Sequence, residues 1–422
     1  MDLIRKIKEL FVAIELENRY SKDEILGLYL NQIPYGGNTY GIEAAAKTFF
    51  NKSTKDLSLA ESALLASLPR GTSYYSPFGK HVDELYKRKN QILEKMETLG
   101  YITAKQKEKA KSAKLEFSVQ ASDFKAPHFV LEVQDYLNKK YGEIYVQTAG
   151  LNVITTLDWD LQQSAEKAVL EGANRNRELY QGYNAALVAQ DATNGQILAL
   201  VGSKDYFGSP EPENCSPGKD CGFEGNFNVA TQGLRQPGSS IKPFAYVTAF
   251  KKGFTPDTML FDTETEFDAT GIPENSYKPG NFDEIFRGPV SMRTALAQSI
   301  NIPAVEALYL AGIDNFLTLA KDFGITTLTE RSRYGLSLVL GGGEITLKEL
   351  VGAYSVFAQE GIKHQQTMIL SITDSKNNLI EEYKDSAEQV IDAQYPRLIN
   401  NILTDIDERS GLFQSSLGLT IF

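Results

Sequence analysis

Apolar positions change their period along the chain, and the changes predict its elements. Leu3, Ile7, Leu10, Phe11 and Ile14 recur at helical spacing and predict an amphipathic helix over residues 1 to about 20. Arg5, Lys6 and Glu9 fall on its opposite face, where the plain reading is a solvated Arg/Glu i,i+4 pair. Ser21 and Glu24 make a capping-box pattern ahead of Ile25, Leu28 and Tyr29, so a second helix begins there and stops near Asn31, before Pro34. Gly36-Gly37-Asn38 reads as a turn. An alanine-rich helix follows from Gly41 to near Asn51, Ser58 and Glu61 box the start of another that Pro69 ends, and a charged amphipathic helix runs from Asp83 to about Leu99. This first region is predicted to be all helical.

From about residue 115 the pattern changes. Leu115–Val119 is predicted as a strand, Ala126-Pro127-His128-Phe129 as a turn and Val130–Lys140 as a short helix. Gly150–Asp158 reads as a strand followed by an N-cap. Asn184–Gln190 and Gln196–Gly202 are apolar runs joined through Asn194-Gly195, a hairpin signal.

The chemistry concentrates in Arg235-Gln236-Pro237-Gly238-Ser239-Ser240-Ile241-Lys242-Pro243-Phe244. A serine and a lysine three residues apart share one helical face, which brings a hydroxyl and an amine together as nucleophile and base. Ser240 stands two residues from Lys242 and points elsewhere. Pro243 is tolerated only near a helix start, so Ser239 is placed at or beside the N-terminus, where the dipole favours developing negative charge. The apolar run Phe244, Ala245, Val247, Phe250 predicts that this helix is buried. Ser-x-x-Lys also occurs at Ser122/Lys125, Ser164/Lys167 and Ser216/Lys219, so context has to select among the matches. Downstream, Ser299-Ile300-Asn301 places two polar side chains at alternate positions after a helix, facing one cleft; Ser375-Lys376-Asn377 repeats the pattern in a surface turn.

A formal charge of −11 argues against a nucleic-acid surface, and no apolar run reaches the roughly 18 residues of a membrane span. Cys215 and Cys221, the only cysteines, bracket a turn-rich segment; a local disulfide and two free thiols both fit. Without nearby histidines they make no zinc site. His81, His128 and His364 read as structural or surface residues.

Arg5-Lys6-Ile7-Lys8-Glu9, Ile25–Asn31 and Gly41-Ile42-Glu43-Ala44-Ala45-Ala46 resemble the later motifs of the peptidoglycan glycosyltransferase domain. That resemblance implies an all-α, lysozyme-like fold that polymerises lipid II, with Arg5 and Lys6 helping to hold a pyrophosphate and Glu9 as the second of two acidic residues. It overrides the solvated-pair reading. The family's motif carrying the general base, and its Gly-Gly-Ser-Thr motif, do not occur in this sequence, so no polymerase activity is expected from this chain alone.

Ser239-x-x-Lys242 at a helix start, then Ser299-Ile300-Asn301, with Tyr277–Asp283, Leu338–Glu344 and Ala353–Phe357, resembles the transpeptidase domain of class A, bifunctional penicillin-binding proteins. The implied fold is multidomain: the helical glycosyltransferase portion over 1–114, an inter-domain region over 115–158 and an α+β, serine β-lactamase-like domain over 159–422. Implied roles are Ser239 as nucleophile, Lys242 as base, Ser299 as proton relay and Asn301 as holder of substrate amides. No Lys-Thr-Gly or Lys-Ser-Gly motif is present, so the sheet is expected to be incomplete and the sequence to be a fragment cut at both ends.

The same resemblance implies lipid II, glycan strands, D-Ala-D-Ala stem peptides, β-lactams and cell-wall assembly proteins as partners, at the outer face of the cell membrane with an anchor upstream. It implies no cofactor for transpeptidation and a divalent cation as a candidate for glycosyl transfer. A D,D-carboxypeptidase or β-lactam-hydrolysing enzyme, and a non-catalytic cell-wall scaffold, are the alternative readings.

Overall fold

In the computed structural model the helix starts follow the capping chemistry of the sequence. The structure describes all residues except 1–2, 37–38, 73, 76, 78–81, 116, 118–124, 217, 269–275 and 414–422, and the backbone alone of 3–9, 11 and 147. Two compact units divide it at Phe124 and Lys125.

The first unit opens with α1 (Leu3–Arg19) and α2 (Lys22–Gln32), and the Ser21/Glu24 capping box is formed in full. A small hairpin, β1 (Pro34–Gly36) and β2 (Thr39–Tyr40), leads into α3 (Ile42–Phe50). Then come α4 (Leu59–Leu65), with its Ser58/Glu61 box complete, α5 (Val82–Thr98) and α6 (Ala104–Ser112). Its core joins Phe49, Phe50, Leu64, Leu65, Leu85 and Leu93.

The structure differs from the predictions here in two respects. The region is not all helical, because Gly36 and Gly41 take positive φ (104° and 83°) and let the chain double back as β1–β2. A Cβ on Gly41 would lie 2.8 Å from the Asn31 carbonyl oxygen, so only glycine fits that return. Leu10 and Ile14 of the predicted apolar stripe are also exposed rather than packed.

The second unit begins with α7 (Pro127–Tyr141) and α8 (Glu143–Thr148), then β3 (Asn152–Thr155) and α9 (Trp159–Tyr180), which Asp158 caps through the Leu161 N–H. The predicted hairpin forms as β4 (Leu187–Gln190) and β5 (Ile197–Val201), antiparallel with Val188 opposite Leu200. A 3₁₀ turn at Gly238–Ile241 runs into α10 (Lys242–Lys251). β6 (Met259–Asp262) pairs antiparallel with β7 (Gly288–Ser291), followed by α11 (Met292–Ala297), α12 (Asn301–Ala311) and α13 (Ile313–Asp322). After α14 (Leu347–Ala358) come β8 (Ile362–His364), β9 (Ile369–Thr373), β10 (Leu379–Glu382), β11 (Ala387–Gln389), α15 (Gln394–Leu403) and α16 (Ile406–Phe413).

The centre of this unit is α10, where every residue from Lys242 to Phe250 is buried. Phe244 makes aromatic contacts with Phe323, Tyr354 and Phe357, tying α10 to α13 and α14. The β4–β5 hairpin gains its stability from both faces. Ala199 and Val201 pack on Ala165 and Val169 of α9, and Ile197 and Leu200 pack with Phe129, Met368 and Ile372. A two-stranded ribbon is marginal alone, and these contacts supply what a wider sheet otherwise would.

The boundaries expected at 114 and 158 differ from the division at 124. β3 pairs antiparallel with β9, more than two hundred residues later in the chain, so residues 125–158 belong to the second unit rather than to a separate linker. α7 starts at Pro127, three residues before the predicted Val130, with proline in the first turn where its missing N–H costs nothing. Three residues of the strand predicted at 115–119 lie outside the described set; Leu115 and Phe117 are coil, and Phe117 stacks on Phe50 at 5.6 Å. Cys215 and Cys221 are joined in a disulfide.

Candidate active site

Ser239 sits in the 3₁₀ turn and Lys242 is the first residue of α10, with Pro243 in its first turn. The helix therefore starts at the lysine rather than the serine. In a 3₁₀ turn residues i and i+3 eclipse, so the two still share a face. Gly238 enters the turn at φ 58°, the left-handed region that favours glycine. Ser240 spends its hydroxyl on the Pro237 carbonyl at 2.6 Å, while Ser239 is exposed and its hydroxyl has no hydrogen-bond partner among the described residues.

Two contacts fix the turn from outside. Tyr354 Oη donates to the Ser240 carbonyl at 2.6 Å. Gly341 packs backbone to backbone on Gly238, and a Cβ there would lie 2.6 Å from the Gly238 nitrogen. Arg235 and Ile345 exchange both backbone hydrogen bonds at 3.0 Å as an isolated antiparallel bridge, tying the two segments together. Beside them lies a polar cleft of about 170 Å³ lined by Gln236, Arg333, Tyr334 and Glu344.

Lys242 is 1 % exposed, and burial pushes its amine down to about 7. Its Nζ donates to the Ser299 carbonyl at 2.6 Å and to Asn301 Oδ1 at 2.8 Å, with Ser299 Oγ at 3.2 Å and the Ile300 carbonyl at 3.4 Å. The structure thus gathers Lys242, Ser299 and Asn301 around one amine. No hydrogen bond links Ser239 to Lys242; such contacts commonly close only when a substrate is bound.

Ser299 occupies an unusual backbone position. α11 ends in a Schellman motif, with the Ser299 N–H on the Leu296 carbonyl at 3.0 Å and the Ile300 N–H on the Ala295 carbonyl at 2.9 Å. Its left-handed residue, normally glycine, is Ser299 at φ 55°. That strain, of order 1 kcal/mol, turns the Ser299 carbonyl and hydroxyl together onto the lysine.

The other Ser-x-x-Lys matches lack this setting. Ser164 back-bonds to the Asp160 carbonyl on the exposed face of α9 and Lys167 is solvated, Lys219 is exposed near the disulfide, and Ser122 lies outside the described residues. Ser375-Lys376-Asn377 forms the turn between β9 and β10. His128 is buried against Ser203 at 3.0 Å and His364 pairs with Asp385 at 2.8 Å, whereas His81 lies outside the described residues. In the first unit Arg5, Lys6 and Glu9 lie on α1, and their side chains are outside the described ones. Asn281, which accepts from the Asn301 N–H, lies in the Tyr277–Asp283 run of the sequence, where it was given no role of its own.

Comparison with known proteins matches the transglycosylase family over residues 1–97 and the penicillin binding protein transpeptidase domain over residues 185–421. The chain belongs to the penicillin-binding protein transpeptidase family. Penicillin-binding protein 2D of Bacillus subtilis is 36% identical over 414 residues, covering 96% of this chain and 56% of that relative. Penicillin-binding protein 1A of Aquifex aeolicus is 31% identical over 469 residues, covering 92% and 61%. The chain therefore spans a little over half the length of these curated relatives. The crystal structure of penicillin-binding protein 1A from Haemophilus influenzae shares the fold at a TM-score of 0.61 and 24% identity, over 92% of this chain and 74% of that one. Among the described residues of this penicillin-binding protein, no single helix is long and apolar enough to cross a membrane.

Proposed function

We propose that this chain performs the acyl-transfer half of peptidoglycan synthesis, as a serine D,D-transpeptidase that crosslinks stem peptides. The observation that carries the reading is a buried amine with a pKa of about 7, one 3₁₀ turn from an exposed serine and held by Ser299 and Asn301. Near neutrality about half of such lysines are neutral and able to accept a proton, whereas an ordinary lysine is almost wholly charged.

Ser239 Oγ gives its proton to Lys242 Nζ and attacks the penultimate D-Ala carbonyl. The peptide C–N bond breaks, the terminal D-Ala amine takes a proton through Ser299, and an acyl ester remains on Ser239. The amine of a second stem peptide then attacks the ester, its C–O bond breaks, and Ser239 regains its proton. Asn301 serves the reaction by holding the substrate amide and fixing the lysine. β-Lactams enter by the same first step.

The first unit adds a second part to the proposal. It is the later portion of a lipid II polymerising domain, in which Arg5 and Lys6 bind pyrophosphate, Glu9 acts as the second acidic residue, and a divalent cation is a candidate helper. Glycan strands and cell-wall assembly proteins are the partners this implies, at the outer face of the cell membrane.

Incubating the chain with a fluorescent penicillin tests the reading. A covalent label that maps to Ser239 and disappears in Ser239→Ala is expected, and a folded chain that takes no label overturns it. With a D-alanyl thioester donor, product joined to an added amine indicates transpeptidation, whereas hydrolysed donor alone indicates a carboxypeptidase.

A further inference from the structure

The hydrogen bonds at the head of α12 point to a residue of the Tyr277–Asp283 segment to which the sequence assigned no role. The N-cap residue of α12, Ile300, has no side chain able to cap, yet no donor in the first turn is left over. The Ile300 N–H is used by the Schellman motif of α11, and Pro303 has no N–H. The two that remain, on Asn301 and Ile302, both donate to Asn281 Oδ1, at 3.1 and 3.3 Å. Asn281 comes from the loop before β7 and is 8% exposed. Its Nδ2 donates to Asp262 Oδ1 at 2.6 Å and to the Ile285 carbonyl at 2.8 Å. The Asn301 side chain is gripped by the same loop, donating from Nδ2 to the Gly280 carbonyl at 2.9 Å.

Asp262 anchors the arrangement. It is 0% exposed, and its Oδ2 accepts from the Arg287 backbone N–H at 3.0 Å and from Arg287 Nη1 at 3.4 Å. A buried carboxylate is retained only when its lone pairs are filled, so Asp262 has one arrangement of neighbours it can keep. That arrangement sets the rotamer of Asn281 through its amide donor, and Asn281 in turn sets where the first turn of α12 begins.

We propose that Asn281, oriented by Asp262, is a positioning residue that holds Asn301 and Ser299 around the Lys242 amine. It touches neither the lysine nor a substrate and acts by fixing the loop whose carbonyl and side chain enclose Nζ. The proposal rests on the acyl-transfer reading of Ser239 and Lys242 and adds the part that keeps their surroundings closed.

The test uses the full chain with Asn281→Ser, Asn281→Asp and the polarity swap Asp262→Asn/Asn281→Asp. A serine hydroxyl is too short to bridge both N–H groups and Asp262. Asn281→Asp sets two carboxylates face to face; the swap restores one donor and one acceptor between positions 262 and 281 but leaves the Ile285 carbonyl without the Asn281 donor. Two readouts are taken on folded protein: labelling of Lys242 by an amine-directed reagent, mapped by mass spectrometry with solvated Lys167 as the control, and the rate of acylation by fluorescent penicillin.

Asn281→Ser is expected to raise Lys242 labelling at least tenfold with Lys167 unchanged, and to lower acylation at least tenfold. Asn281→Asp is expected to be as impaired or worse, and the swap to recover both readouts at least threefold relative to Asn281→Asp. Wild-type protection and acylation in folded Asn281→Ser, or a swap no better than Asn281→Asp, overturns the proposal. If even the wild-type chain is not acylated, the transpeptidase reading falls, while Lys242 labelling still decides the role of Asn281.

Discussion

Lys89 in the first unit and Lys242 in the second are both enclosed, at 0% and 1% exposure, and burial lowers the pKa of each. Their surroundings separate them. Lys89 Nζ lies near the carbonyls of Ala110 and Lys111 at 3.4 and 3.3 Å, the last turn of α6, and 5.0 Å above the ring of Tyr86. Its amine sits at the negative end of a helix, beside an aromatic face. Lys242 has shorter contacts, and two of its neighbours are side chains able to move or share a proton. Three residues before Lys89 stands Tyr86; three before Lys242 stands the exposed hydroxyl of Ser239. Burial alone makes a structural lysine, and a free hydroxyl on the same face with a polar side-chain cluster makes a candidate base.

The comparison breaks first on the methionine variants, which keep the aliphatic volume and remove the amine. Lys242→Met is expected to slow labelling by fluorescent penicillin by about 10³-fold, the range of a lost general base, and Lys89→Met by less than twofold. Equal effects would mean that the two lysines are not different in kind.

Stability against pH sharpens it next. The unfolded lysine titrates near 10.4 and the folded Lys242 at about 7. Below pH 7 both states hold the proton and the fold bears the full cost of burying a charge. Between pH 7 and 10 the folded state has released a proton that the unfolded chain retains, so stability rises, by up to about 1.4 kcal/mol per pH unit. In urea unfolding followed at Trp159, the only tryptophan and a residue of the second unit, the wild type should gain about 2 kcal/mol relative to Lys242→Met between pH 7 and 9. Parallel curves for the two proteins would contradict the lowered pKa.

Ser299→Gly separates function from fold. Glycine relieves the left-handed strain, so stability is expected to rise by up to about 1 kcal/mol. Acylation should nevertheless fall about 10- to 100-fold if the lost Ser299 hydroxyl serves as the proposed relay. The smallest effect is expected from Tyr354→Phe, which removes the bond to the Ser240 carbonyl: about 1 kcal/mol of stability and less than a tenfold loss of acylation, read by the same two assays.

Features encoded by near neighbours were legible in the sequence. The capping boxes at Ser21 and Ser58, the Asp158 N-cap and the Asn194-Gly195 hairpin each depend on a few adjacent residues, and each formed as read. The placement of Ser239, Lys242, Ser299 and Asn301 in one unit was legible through the order of their motifs. What was not legible depends on partners far apart in the chain. The pairing of β3 with β9 draws residues 125–158 into the second unit, and no local pattern in either strand names the other. The Asp262–Asn281–Asn301 chain joins two buried polar residues to the half-buried Asn301, through contacts that follow only from packing. Lys89 looked like one more charge on a solvated helix, because the residues that cover it come from α6.

The contact of Gly341 with Gly238 leaves the Ser239 turn open to movement elsewhere in this chain. Two bare backbones touch at the turn that presents Ser239, with no side chain between them to absorb displacement. Drift in the segment 336–345 therefore reaches Ser239 as a shift of the backbone, undamped by any rotamer. On the acyl-transfer reading, substitutions that leave every polar group of the site in place would still change how fast Ser239 is acylated, provided they move the Gly341 peptide by a fraction of an ångström.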